Sequence, residues 1–254
     1  ATKKAVFGLI DDFQTVLEQD VATLTQQRYA QSLEIFKTYL GKDLPLQALD
    51  YAMLEGFKIS RKGFSYNTLR NDFNALCSFF SWLQRMEYVE KNPVKDVRIR
   101  KPERNKPMGF LTQKEVGTLL EAAKPFPTQH AILTVMLHTG LRRAEICNLS
   151  WDQYDEGNKV LYIRGKGSKH RQVPVSPPCA FAIDSQPRIS KHVFITKVGK
   201  PFNPASLRYI FLKYSKLLGK RITPHTMRHT LASHLMASSG NPVVVKEVLG
   251  HSSL

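Results

Sequence analysis

The run AILTVML, residues 131 to 137, carries no charge and a single hydroxyl, and it stops at Thr139-Gly140. A stretch this apolar does not lie on a surface helix, so it marks the buried centre of whatever this part of the chain folds into. Gly140 is a natural helix stop, because glycine enters the left-handed conformation without a Cβ penalty. The next residues have the opposite character: Arg142, Arg143 and Glu145 in LRRAEICNL. The spacing predicts a short helix carrying Arg142, Glu145, Ile146 and Leu149, with the arginine in its first turn. A cation is electrostatically awkward there, since a helix N-terminus already carries partial positive charge. Two readings stand at this point: a charged cap on a surface helix, or a site built to hold an anion.

Upstream of that centre the periodicity is helical. Tyr29, Leu33, Phe36 and Leu40 form one stripe, and Leu69, Phe73, Leu76, Phe80 and Leu83 a longer one that predicts a helix over about 67–85. The stripes imply a helical bundle over residues 1–97. Its surface keeps Arg28, Lys37, Lys58, Arg61, Lys62 and Arg70, which either line a DNA groove or form an ordinary solvated face. Residues 98–110 read as a linker, because Pro102 and Pro107 discourage regular structure while Arg98, Arg100, Lys101, Arg104 and Lys106 crowd together. It is either a solvated tether or a basic strap across a phosphate backbone, and the charge of the chain favours the strap.

A second domain, residues 111–254, opens with Thr112 and Glu115 spaced as a capping box. The runs 159–164 and 171–175 read as a β-hairpin whose tip holds Gly165, Lys166, Gly167, Ser168 and Lys169. Asn203-Pro204 and Asn241-Pro242 each read as cap and first residue of a further helix. The expected class is mainly α with a small antiparallel sheet, the second domain being α+β.

A formal charge of +16 on 254 residues favours a polyanionic partner through steering and counterion release. Nucleic acid is the leading candidate. Cys77, Cys147 and Cys179 show no paired spacing, which suggests neither a zinc site nor a disulfide framework and fits a reducing cytoplasm. No run approaches the length of a membrane span. The histidines lack carboxylates at ligand spacing, so no metal is expected.

Individually, R-x-x-E, a lysine between glycines and H-x-x-R are a helix salt bridge, a solvated turn and surface decoration. Together they form a different set: arginines fork onto phosphate oxygens, a lysine donates a proton, and histidines exchange one. TGLRRAE, GKG, HTMRHT and LGH occur in that order. On these motifs the chain resembles the tyrosine recombinase (lambda-integrase-like) superfamily, most closely its compact Xer-type and transposon-type members, over essentially its whole length.

The resemblance implies that Arg142 and Arg228 clamp a scissile phosphate and that Lys166 protonates the leaving 5′ oxygen. It implies that His225 handles the nucleophile's proton, that His251 hydrogen-bonds or packs at the phosphate, and that Glu145 supports the site. Arg143 and Lys169 match no catalytic position and are expected to contact backbone phosphate. DNA contacts are further expected from Arg70, Arg98, Arg100, Lys101, Arg104 and Lys106. The family's nucleophilic tyrosine would fall near position 260, after Leu254, so residues 1–254 are expected to bind DNA but to be deficient in cleavage, as a C-terminally shortened form would be. Tyr162, Tyr209 and Tyr214 are expected to pack rather than react.

The implied function is site-specific recombination through a 3′-phosphotyrosine, without metal or other cofactor. The implied partners are double-stranded DNA at a specific site and further copies of the chain, up to a tetramer, weakened without the tail. The two domains would form a C-shaped clamp, in the cytoplasm on the nucleoid. The rivals are a non-enzymatic DNA-binding regulator and a type IB topoisomerase-like nicking and closing enzyme.

Overall fold

The two N-terminal stripes bury against each other in the computed structural model, which describes residues 5–21, 23–102, 109–164, 170–243 and 245. The chain forms two units, Ala1–Arg104 and Asn105–Leu254. The first contains α1 (Val6–Asp20), α2 (Thr23–Leu40), α3 (Tyr51–Ser60) and α4 (Tyr66–Arg85). α4 begins where it does because Ser65 stays extended and its Oγ accepts the Thr68 amide at 3.1 Å. The core is aromatic: Phe13 lies 5.6 Å from both Phe79 and Trp82, and Phe36 meets Phe57 edge-on at 5.0 Å. Such pairs contribute about 0.5–1.5 kcal/mol each beyond the area they bury. α1, which the stripes did not announce, adds Leu9, Ile10, Phe13 and Leu17 to this core.

One polar cluster is sealed inside the first unit. Asp72, 4 % exposed at its side chain, accepts from Ser32 Oγ at 2.9 Å and from Arg61 Nε at 3.0 Å. The Arg61 guanidinium lies 3.8 Å from the centre of the Phe64 ring. Arg61 is thus held on Asp72, with little of its side chain exposed. Lys37 pairs with Asp11 and Glu34, and Lys58 with Glu55. Carboxylates three residues away or on a neighbouring helix occupy these lysines, whereas Arg28, Lys62 and Arg70 are exposed.

The stretch read as a linker is tied down at its start. Val94 and Val97 are buried, Ile99 packs on the same core, and Lys58 Nζ donates to the Arg98 carbonyl at 3.2 Å. Arg98, Arg100 and Lys101 remain exposed, and Arg104 and Lys106 lie outside the described residues.

The second unit is built around the apolar run. α5 (Gln113–Ala123) starts at the expected capping box, with the Thr112 amide donating to Glu115 Oε2 at 2.7 Å. α6 (Pro127–Thr139) contains AILTVML, every residue of it buried. Each of its larger side chains contributes about 1.5–3 kcal/mol by leaving water. α6 stops at Gly140, at φ +60°, whose N–H donates to the Met136 carbonyl at 3.0 Å. After α7 (Arg143–Cys147) come β1 (Tyr154–Asp155), β2 (Val160–Arg164) and β3 (His170–Pro174), an antiparallel sheet in that order. Leu161 faces Val173 and Ile163 faces Arg171, so these four share one side of the sheet.

α8 (Pro177–Asp184), α9 (Pro204–Leu217) and α10 (Pro224–Ser239) complete the unit. Asn203 Oδ1 accepts the Ala205 and Ser206 amides at 3.0 and 2.8 Å, as a cap before proline should. Asn241 Oδ1 likewise accepts the Val243 amide at 2.8 Å, although most of the helix expected after it lies outside the described residues. α10 is tied to the unit's first residues, for the Leu111 amide donates to Thr230 Oγ1 at 2.9 Å. Among the described residues, no helix is long and apolar enough to cross a membrane. The three cysteines are free thiols.

Candidate active site

Arg142 is placed by the end of one helix and the start of the next. Leu141 is buried, Arg142 is extended at the N-cap of α7, and the helix proper begins at Arg143. The expected helix is therefore shorter: Arg142 stands just ahead of its first turn and Leu149 lies beyond its end. This position relieves the conflict between a cation and the positive end of a helix. Glu145 sits in that first turn instead and reaches back, its Oε2 accepting the Arg142 amide at 2.7 Å and its Oε1 accepting from Arg142 Nη1 at 2.8 Å.

Glu145 is also held from the opposite side by a residue that belongs to none of the sequence motifs. Arg171, on the inward side of β3, forks onto the same carboxylate, with Nη1 and Nη2 each 2.8 Å from an oxygen. The pair is withdrawn from solvent, at 14 % and 10 % side-chain exposure. Burial alone would raise the Glu145 carboxyl, but the donors from Arg171 and Arg142 outweigh it and hold the group at about 2. The signal for Arg171 was in the alternation: in HRQVPV it shares the face of Val173 and Val175, where a strand turns inward.

Arg228 comes from the first turns of α10. It is buried, and its Nη1 donates to the Gly140 carbonyl at 2.7 Å, at the end of α6. Burial, and then the neighbouring charges of Arg142 and Arg171, lower its guanidinium to about 10, so it stays cationic at neutral pH. Thr223 caps α10 through the Thr226 amide at 3.1 Å, and Pro224 follows as its first residue. That start sets His225 at the surface, with its ring edge-on to His229 at 4.4 Å.

These elements enclose a recess of about 260 Å³ lined by Arg142, Arg143, Thr223, Pro224, His225 and Arg228. Arg142, Glu145, His225 and Arg228, expected to act together from separate motifs, are thus gathered in one place. Arg143, expected to contact backbone phosphate and not to act in the site, lines the recess as well. Arg142 and Arg228 line the recess, and with Arg171 and the carboxylate of Glu145 behind Arg142 they form a group with two net positive charges. Such a place suits an anion with several oxygens, each able to accept from a guanidinium.

Lys166, Lys169 and His251 lie outside the described residues. Tyr214 is buried, as expected, with its hydroxyl donating to Gln129 Oε1 at 2.9 Å. Tyr162 and Tyr209 are exposed instead, Tyr162 because it occupies the outward side of β2 between inward Leu161 and Ile163. None of the three lines the recess. Among the described residues, no three His, Cys, Asp or Glu side chains are grouped to hold a metal ion.

Comparison with known proteins bears on both units. The model of the phage integrase family matches residues 109–254, and that of the phage integrase SAM-like domain matches residues 5–100. The tyrosine recombinase XerC of Thermodesulfovibrio yellowstonii is 32 % identical over 259 aligned residues, covering 94 % of this chain and 85 % of the relative. A tyrosine recombinase of Pseudothermotoga lettingae is 31 % identical over 233 residues, covering 85 % and 78 %. Among solved structures, a lambda integrase dimer bound to a COC′ core site superposes with a TM-score of 0.83 at 17 % identity, covering 98 % of this chain and 96 % of that one. The Tn1549 transposon integrase in complex with a circular intermediate DNA gives 0.78 at 20 % identity, covering 96 % and 92 %. At these identities the two structures bear on the fold, which they share with this chain.

Proposed function

The chain belongs to the phage integrase family, and from that premise we propose that the arginine recess holds one phosphodiester of duplex DNA during strand exchange. It is a site-specific tyrosine recombinase. The observation that carries the assignment of the recess is the convergence of Arg142 and Arg228, from chain segments far apart, on one recess that Arg143 also lines.

Arg142 and Arg228 donate to the two non-bridging phosphate oxygens. Their donors bind more strongly as charge accumulates in the pentacoordinate transition state, which is where binding accelerates a reaction. A tyrosine oxygen attacks phosphorus, the bond to the 5′ oxygen breaks, and a 3′-phosphotyrosine and a 5′ hydroxyl result. His225, at the rim, takes the tyrosine proton. Lys166 supplies the proton to the leaving 5′ oxygen, and His251 closes the phosphate site. The resemblance sets the tyrosine near position 260. Attack by a 5′ hydroxyl from the exchanging strand reverses the chemistry and rejoins the DNA.

Arg70, Arg98, Arg100, Lys101, Arg104, Lys106, Arg143 and Lys169 contact backbone phosphates and supply affinity rather than sequence choice. Four copies act together on two sites, in the cytoplasm on nucleoid DNA; a lambda integrase tetramer bound to a Holliday junction is among the structures of the same fold.

The test begins by selecting bound duplexes from a randomised pool. The selected site, nicked near the cleavage position, is then offered to a polypeptide extended through the tyrosine. A covalent protein–DNA adduct, absent after Arg228→Ala, is the expected outcome. Tight site-specific binding with no adduct would replace this reading with that of a regulator.

A further inference from the structure

Resting on the reading of the recess as a phosphate site, we infer that Arg171 is a positioning residue: by occupying one side of Glu145 it keeps Arg142 turned toward the recess.

Hydrogen-bond capacity carries the inference. A carboxylate offers about four acceptor positions on its two oxygens. On Glu145 all four are taken, by Nη1 and Nη2 of Arg171, by the Arg142 amide and by Arg142 Nη1. Arg142 therefore gives Glu145 a single guanidinium nitrogen and keeps its other donors for a ligand. Its side chain is 47 % exposed, whereas Arg171 is withdrawn at 14 %. The two arginines thus divide the work: the buried one satisfies the carboxylate, and the open one is steered by it.

Removing Arg171 vacates two acceptor positions on a buried carboxylate. An unsatisfied buried charge draws the nearest donor. Arg142 already touches Glu145 through one nitrogen, so its guanidinium would fork onto the carboxylate and leave the recess. The charge of the group formed by Arg142, Arg171, Arg228 and Glu145 changes in the same direction, from two net positive charges to one, while a pentacoordinate phosphorane carries two negative ones. Arg171 reaches the phosphate through Glu145 and Arg142, which is why no phosphate-contact motif marks it.

The inference is tested without DNA cleavage, on the 254-residue chain, with orthovanadate as the probe of the recess. Guanidinium Nε–H signals of Arg142 and Arg228 are followed by NMR during titration. In Arg171→Ala, vanadate affinity is expected to fall about tenfold or more. Adding Glu145→Gln to that variant removes the charge that captures Arg142, and is expected to restore most of the lost affinity. A role confined to stability would instead give losses that accumulate. Arg171→Lys keeps the charge but not the fork, and is expected to bind vanadate more weakly at an unchanged unfolding midpoint; it decides the matter should Arg171→Ala unfold. Wild-type affinity in a folded Arg171→Ala or Arg171→Lys chain, or a double variant weaker than both singles, would overturn the inference. Failure of the unaltered chain to bind vanadate would instead sink the phosphate reading on which it rests.

Discussion

Among the described residues, each unit withdraws one arginine–carboxylate pair from solvent, and the two pairs differ in what they leave over. In the first unit, Asp72 is shared between Ser32 and Arg61, and the guanidinium is covered by the Phe64 ring. One positive and one negative charge cancel in a closed setting. In the second unit, Glu145 is saturated by two arginines, and Arg228 adds a third guanidinium close enough to feel both. Positive charge remains, and it faces a recess. Burying ion pairs is weak support for stability, because desolvation consumes much of the attraction. The second arrangement, with its repulsion among three guanidiniums, is therefore better understood as stored affinity for an anion than as a structural brace.

The largest effect expected is on the closed pair. Asp72→Ala leaves Arg61 buried without its partner and should destabilise the first unit by about 3–5 kcal/mol. Urea unfolding followed through Trp82 fluorescence measures this, and the response of Arg142 and Arg228 to vanadate should not change. If the midpoint did not move, the pair would not brace the bundle.

Arg228→Ala should do the reverse. In the polypeptide extended through the tyrosine, loss of one donor to the transition state should lower the cleavage rate by about a hundredfold to a thousandfold, and the first unit's unfolding midpoint should stay where it is. A variant that cleaves at the normal rate would remove Arg228 from the site.

Acid separates the pairs further. Glu145 has its folded value depressed to about 2 from an ordinary 4.5, so its stabilisation is fully present above 4.5 and is lost as pH falls toward 2. The shift corresponds to at most about 3 kcal/mol. In Glu145→Gln the second unit's stability should be flatter than wild type over that acid window, and from about pH 5 to 8 the two should run parallel. A difference in slope confined to the neutral range would mean that Glu145 is not so held.

The smallest effect belongs to Arg143. As a rim contact to phosphate, its replacement by alanine should reduce the slope of log K against log salt by about one, uniformly across DNA sequences. A sequence-dependent loss would make it a base-reading residue instead.

How legible a feature is in the sequence depends on how far it relies on neighbours in the chain. The stripes of α2 and α4, the capping box at Thr112 and Glu115, and the Asn203-Pro204 start are local, and each is where the residues place it. α8, with two prolines at its start and no one-sided stripe, and the two-residue β1 offered too little local pattern. The fate of charges was the least legible. Nothing in the spacing separates Arg61, sealed on Asp72, from exposed Arg70, because the difference is made by a helix partner eleven residues away. Arg171 was obscured by the basic residues around it, although its register with Ile163 turned it inward.

The bond from Arg228 to the Gly140 carbonyl joins residues 88 apart. Synthesis releases a chain from its N-terminus, and domains fold largely as they emerge. The first unit is complete long before α10 leaves the ribosome, and α6 then ends in a carbonyl still waiting for its donor. A polypeptide that ends before α10 lacks Arg228, so the proposed phosphate site takes shape only in copies whose translation has passed α10.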